Sequence, residues 1–174
     1  MRKQFLLIVF FLWPVALFAA NDQTKTSSTT LVKITVVNAC LLNNVSSGTA
    51  ALGTLNFGSV YKLNSQLDYA TTIGNGSIEL RCTPGTTAKI TLNAGLYGGS
   101  VNTRKMRSTL GVATLNYQLY TSSTRQTVWD DTVGLSVSFS DDLTKTFPVY
   151  GSIFAQPTPV SGQYNDQVVV TVTY

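Results

Sequence analysis

The chain has no histidine among its 174 residues, and only 11 % of it is charged. The first absence removes histidine-based catalytic triads and the commonest metal ligand. The second leaves a sparse surface of twelve basic and eight acidic residues with no long charge run. Only Arg104, Lys105 and Arg107 cluster, which is no footprint for nucleic acid. No glycine-rich loop leads into a helix, since Gly98 and Gly99 precede no helical pattern, so no phosphate cradle is expected. No amphipathic helix of any length is legible. Neither a cofactor nor a metal is called for.

One long apolar run exists, FLLIVFFLWPVALF over residues 5–18, behind a basic start of Arg2 and Lys3. It is short for a membrane-spanning helix, which takes about twenty residues. Residues 1–20 are therefore expected to be a signal peptide, cleaved after Ala19 or Ala20. Arg2 and Lys3 would leave with it, so twelve basic residues become ten against eight acidic, and the net charge falls from +4 to +2. The remainder, about 154 residues, fits one domain. Cysteine is scarce too, with only Cys40 and Cys82. In an exported chain the two are expected to be joined, closing a loop over residues 40–82 that contributes roughly 4 kcal/mol. Two free buried thiols are the alternative.

Threonine, serine, valine, glycine and asparagine fill the space left by charge, and this composition favours strands and turns. NDQTKTSSTT (21–30) is polar and low in complexity. LVKITVV (31–37) reads as a first strand, with Val32, Ile34 and Val36 on one face. GTLNFG (53–58) reads as a short strand between glycines. SIELRCT (77–83) and AKITLNA (88–94) alternate around the turn at 83–85, which predicts a hairpin over 75–94. Residues 96–109 read as a long irregular connection. ATLNYQLY (113–120), a return at Val128 and Trp129, and VGLSVSF (133–139) follow. KTFPVYGSIFA (145–155) contains Pro148, which predicts an edge position or a bulge. The last nine residues form one strand, with Val168, Val170, Val172 and Tyr174 on one face. Eight or nine short strands with turns between them predict an antiparallel sandwich.

No active site is evident. The paired carboxylates Asp130–Asp131 and Asp141–Asp142 sit at expected turns, where aspartate bonds nearby backbone N–H groups. Sequence neighbours on a strand point to opposite sides, so neither pair faces itself across a sugar. The aromatics Tyr117, Tyr120, Trp129, Phe139, Tyr150 and Phe154 fall at strand spacing and read as core rather than a sugar platform.

Several segments occur in a particular order: a cysteine after an N-terminal strand, GTLNFG, IELRCTPGTTAKITLNAG, LNYQLY, TVWDD, VYGSIFAQ and a closing YNDQVVVTVTY. Together they resemble the spore coat protein U domain family, which includes subunits of archaic (Csu-type) chaperone–usher pili. The likeness covers about residues 31–174 and departs from the family pattern at Asp130, where glycine is usual. It implies an all-β fold: an incomplete immunoglobulin-like antiparallel β-sandwich lacking its final strand, completed by donor-strand complementation. It implies a domain over 38–174, an N-terminal extension and donor strand over 21–37 carrying Val32, Ile34 and Val36, and an acceptor groove walled by Val168, Val170, Val172 and Tyr174. The implied partners are a periplasmic chaperone, an outer-membrane usher and neighbouring pilus subunits. The implied product is a surface fibre for adhesion and biofilm formation, and no enzyme. Upstream positions in phase with the donor face, Thr24, Thr26, Ser28 and Thr30, are polar. That favours a minor or adaptor subunit over a major one. A coat or matrix protein of the same fold and a secreted sugar-binding module are the alternatives.

The terminal strand carries a physical argument of its own. An apolar edge strand without proline, lysine or a nearby charge is an aggregation hazard unless something covers it. Addition of an extended strand from another chain is one way to cover it.

Overall fold

The computed structural model describes residues 31–46, 48 and 51–174. The expected leader over 1–20 and the polar stretch over 21–30 lie outside them. The chain divides into two units, residues 1–35 and 36–174. The second holds all the strands described.

Among the described residues, twelve short strands form four three-stranded antiparallel sheets and there is no helix. Strands β1 (Cys40–Leu42), β3 (Ile78–Cys82) and β9 (Lys145–Phe147) pair in the order β1-β3-β9. Strands β2 (Leu67–Ala70), β7 (Gln118–Tyr120) and β10 (Tyr150–Ile153) pair as β2-β10-β7. Strands β5 (Lys105–Ser108), β6 (Thr114–Asn116) and β11 (Tyr164–Asn165) pair as β11-β5-β6. Strands β4 (Thr87–Leu92), β8 (Leu135–Ser138) and β12 (Val170–Thr173) pair as β12-β4-β8. The fold is an all-β antiparallel sandwich of the immunoglobulin-like kind.

The core follows the alternation in the sequence. Ile78, Leu80 and Cys82 of β3 and Ala88, Ile90 and Leu92 of β4 are all buried, and they share one cluster with Trp129, Phe139, Leu119 and Ile153. Trp129 is fully buried, and its indole Nε1–H donates to the Ile90 carbonyl at 2.9 Å, so its polar edge is satisfied inside the core. Tyr117, Tyr120 and Phe139 are buried as expected of core aromatics. Tyr150 is half-buried, and Phe154 is exposed.

Several expectations are corrected. The hairpin over 75–94 is an arch instead: β3 pairs with β1 and β9, while β4 pairs with β12 and β8. Alternation marks one buried face per strand, and two such strands satisfy it face to face as well as side by side. The turn between them is tight. Gly85 adopts φ 87°, and its N–H donates to the Phe139 carbonyl at 2.7 Å. Residues 31–39 form no strand; Leu31, Val32, Ile34 and Val36 are exposed. Residues 53–58 are likewise outside any strand. The connection over 96–109 contains β5, and the strand over 113–120 breaks at Tyr117 into β6 and β7. Pro148 lacks an N–H and divides 145–155 at the point where the chain passes from the β1-β3-β9 sheet to the β2-β10-β7 sheet. The closing strand is shorter than the nine residues expected, since β12 runs only over Val170–Thr173; Tyr164–Asn165, ahead of that stretch, pairs separately with β5.

Cys40 and Cys82 are disulfide-bonded and face each other in register on β1 and β3, with Cα atoms 4.1 Å apart. The bond staples a three-residue edge strand to its neighbour, a strand too short to hold by backbone pairing alone. Cys40→Ser is expected to lower the unfolding free energy by about 4 kcal/mol. Urea denaturation of the variant and of the oxidised parent tests this; equal midpoints would show that β1 holds without its staple.

Candidate functional site

Strand β12 pairs with β4 along one edge, with Val170 opposite Leu92 and Val172 opposite Ile90. It ends its sheet, so its other edge has no partner among the described residues. Val168, Val170 and Val172 turn inward and pack against the core, half-buried; Val169, Thr171 and Thr173 face outward. Tyr174 is 53 % exposed.

Two cavities run along this open edge and meet at Val170. The first, about 240 Å³, lies between Val168 and Val170 on one side and Leu55 and Phe57 on the other, over Leu92, Met106 and Leu119. The second, about 280 Å³, lies between Val170, Val172 and Tyr174 on one side and Cys40, Leu42 and Leu80 on the other. Both are open to solvent rather than sealed in the core, so together they form a groove at the edge of the strand. All four residues read from the sequence as one face, Val168, Val170, Val172 and Tyr174, line it.

The far side of the groove is only partly paired: Leu42 N–H donates to the Val45 carbonyl, and the Leu42 carbonyl accepts from Val45 N–H, both at 2.9 Å. β1 ends its sheet. Residues 54–57 run without a strand partner and without a backbone–backbone hydrogen bond among the described residues; only the neighbouring Leu52 carbonyl accepts one, from Gly76 N–H at 2.8 Å.

A polar clamp holds one end of the groove. Arg104 is fully buried. Its Nε donates to the Asn93 carbonyl at 3.0 Å, and its Nη1 to Gln118 Oε1 at 2.7 Å. Its Nη2 donates to the carbonyls of Leu92, Asn93 and Trp129 at 3.0, 2.8 and 2.7 Å. Burial draws its pKa below the ordinary arginine value, opposed by the fields of Tyr117 and of Asp131, Asp166 and Asp130. The guanidinium stays charged because its intrinsic pKa is so high. Asn93 in turn holds the approach to β12: its N–H donates to the Val169 carbonyl at 3.1 Å, and its Oδ1 accepts from Val169 N–H at 2.9 Å. Beside it, Tyr117 OH donates to Asp166 Oδ2 at 2.6 Å, and Asp166 Oδ1 accepts from Leu96 N–H. Burial, then this bond, push the Tyr117 hydroxyl well above the usual tyrosine range.

The paired aspartates are turn residues. Asp130 Oδ1 accepts from the N–H groups of Thr132, Val133 and Gly134. Burial opposes its ionisation, but these donors outweigh that and hold its carboxyl below the ordinary range. Asp141 accepts from Leu143 N–H, and Asp142 pairs with Arg81 at 2.7 Å. Among the described residues no three His, Cys, Asp or Glu side chains gather into a metal set.

Val32, Ile34 and Val36 are 89, 86 and 75 % exposed and lie outside any strand. The residues that sequence reasoning missed are Arg104, Asn93 and the far rim. Arg104 appears in the sequence only as part of a basic cluster, and no local pattern marks it as buried.

The spore coat protein U domain profile matches residues 26–171. The chain belongs to this family. Protein U of Myxococcus xanthus is 35 % identical over 147 residues, covering 80 % of this chain and 79 % of that protein. A chain of the CsuC–CsuE chaperone–tip adhesion subunit pre-assembly complex, from the archaic chaperone–usher Csu pili of Acinetobacter baumannii, has the same fold at TM-score 0.50 and 22 % identity. That match covers 80 % of this chain but only 40 % of the other. A chaperone–tip adhesin complex of CFA/I fimbriae superposes at TM-score 0.36 and 12 % identity. In this chain the two cavities are lined in part by GTLNFG, IELRC and the closing strand, three of the segments that carried the likeness.

Arg104→Met keeps the stem and removes every donor, leaving the Leu92, Asn93 and Trp129 carbonyls buried without this partner. It is expected to cost about 3 kcal/mol or more. Thermal unfolding of the variant measures this, and an unchanged midpoint would mean the clamp contributes nothing net.

Proposed function

We infer that the chain is a structural subunit of a cell-surface pilus, assembled by the chaperone–usher route through donor-strand exchange. The observation that carries this reading is the groove along β12, walled by Val168, Val170 and Val172, where the outer edge of β12 has no partner among the described residues. In this reading a periplasmic chaperone first lends a strand to the groove. At the outer-membrane usher, the extension of a neighbouring subunit replaces it. Residues 1–20 act as the export signal, 21–37 as the extension, and 38–174 as the sandwich. Val168, Val170, Val172 and Tyr174 form the acceptor wall.

Val32, Ile34 and Val36 form the donor face. They are exposed and held in no strand of their own, as a donated segment requires. Each aliphatic side chain transferred into the groove contributes roughly 1.5–3 kcal/mol, so three supply about 5–9 kcal/mol before the cost of ordering the segment. Thr24, Thr26, Ser28 and Thr30 add little to that, which favours a minor or adaptor position. Attachment and biofilm formation are the roles such a fibre would serve.

A coat or envelope matrix protein of the same fold is the second reading, favoured by the 35 % identity to Protein U. Electron microscopy separates the two: loss of fibres on deleting the gene, or an altered envelope layer with fibres intact.

Ile34→Asp is expected to abolish surface fibres while the periplasmic complex with a chaperone persists. Fibres at normal abundance would exclude residues 31–37 as the donor. Val170→Asp puts a charge inside the groove itself. It is expected to abolish chaperone co-purification from periplasm as well, with loss of the subunit. A one-to-one complex that survived Val170→Asp would remove the groove from the assembly mechanism.

A further inference from the structure

The chain has two methionines, Met1 and Met106. Cys40 and Cys82 are bonded to each other, so Met106 carries the one reduced sulfur among the described residues. It lies on β5, opposite Leu115 of β6, half-buried and packed against the core. It also lines the first cavity, together with Leu92, Leu119, Val168 and Val170. A side chain packed against a core is ordinarily sealed in by its neighbours. Here about 240 Å³ of solvent-accessible space adjoins it instead. The rim across from Val168 and Val170 is held by the chain's own packing: Leu55 and Phe57 rest on Gly151, where an added Cβ would stand 2.6 Å from Phe57 Cζ.

A thioether is a soft nucleophile that peroxides oxidise to the sulfoxide. The sulfur attacks one oxygen of hydrogen peroxide. An S–O bond forms as the O–O bond breaks, and the sulfur gives up two electrons. The proton of the transferred hydroxyl goes to the departing hydroxide, which leaves as water. The product is polar. While the cavity is open, water solvates the new oxygen. A strand laid over it would strip that water, and the nearby Leu92, Leu119, Val168 and Val170 side chains offer no donor in exchange. The Tyr117 hydroxyl, also in the lining, already donates to Asp166 Oδ2 at 2.6 Å.

We propose that Met106 is a peroxide-modified site on the floor of the groove, oxidised to the sulfoxide while the groove is open and shielded once a strand fills it. The oxidised chain takes up a strand more weakly than the reduced chain. Methionine sulfoxide reductases, one for each sulfoxide epimer, reverse the change. The access of peroxide to Met106 stands on the cavity alone; the effect on strand uptake rests on the donor-strand reading.

The test uses the full chain, dilute enough to prevent self-association, and a fluorescent peptide of residues 28–38. Mass spectrometry of the fragment carrying Met106 follows oxygen uptake from hydrogen peroxide. In the folded chain the rate is expected to lie within about tenfold of the rate in urea, as exposure governs susceptibility. A slower rate would mean a sealed sulfur and overturn the site. Saturating peptide is expected to slow the uptake, and unchanged uptake in the peptide-bound chain would overturn the shielding. The oxidised chain is expected to bind the peptide about tenfold more weakly than the reduced chain. Treatment with both reductases is expected to restore the reduced value. Met106→Leu, a substitution close in volume, is expected to bind the peptide equally before and after peroxide. An equal loss in Met106→Leu and in the parent would place the damage elsewhere and overturn the effect on uptake. Far-UV circular dichroism checks that each sample is folded. Oxidation of Met106 that leaves peptide binding unchanged would overturn the proposal and leave the donor-strand reading standing. A folded, reduced parent that binds no peptide would overturn both.

Discussion

The backbone of β12 is bonded along one edge and open along the other, and much of the molecule is arranged around that asymmetry. Val170 and Val172 need apolar cover on the side where no strand lies. A strand in this state attracts any extended segment that passes, because its free N–H and C=O groups and its apolar face both gain by pairing. The free edge and the stability of the single chain are thus opposed at one place. The sandwich resolves the conflict by fixing everything around the opening and leaving the opening itself unfilled.

The fixtures differ in kind because the local chemistry differs. β1 has three residues and cannot hold by ladder bonds, so a covalent link from Cys40 to Cys82 holds it. The end of β4 is where the ladder runs out and carbonyls turn inward. There Arg104 gathers the carbonyls of Leu92, Asn93 and Trp129 with one guanidinium, whose fork of five donors suits several acceptors at once. Asn93 passes that order to Val169, the residue before β12. The far rim has neither device. Leu55 and Phe57 rest on Gly151, and the backbone between them is left without partners.

Legibility tracked how local the cause was. The alternation of Ile78, Leu80 and Cys82, and of Ile90 and Leu92, reports burial of one face, and that was readable. Which sheet each strand joins depends on residues far off in the chain, so the arch at Gly85 read as a hairpin. Pro148 announced a break but not that the break is a change of sheet. β5 was hidden because Lys105 and Arg107 carry the signals of a solvated loop. Residues 31–37 have every local mark of a strand and no partner within the described chain, so they stay unpaired.

By itself the sequence determined the all-β class, the buried faces, the two cysteines able to bridge, and an apolar closing strand. Each of these follows from side-chain period or from composition, which are properties of neighbours in the chain. Only the tertiary structure decided that Val168, Val170, Val172 and Tyr174 line an open groove rather than a closed core. The same holds for the burial of Arg104 and for the close fit of Phe57 on Gly151. Those outcomes depend on which distant segments come to lie within a few ångströms of one another. No local pattern of residues carries that information.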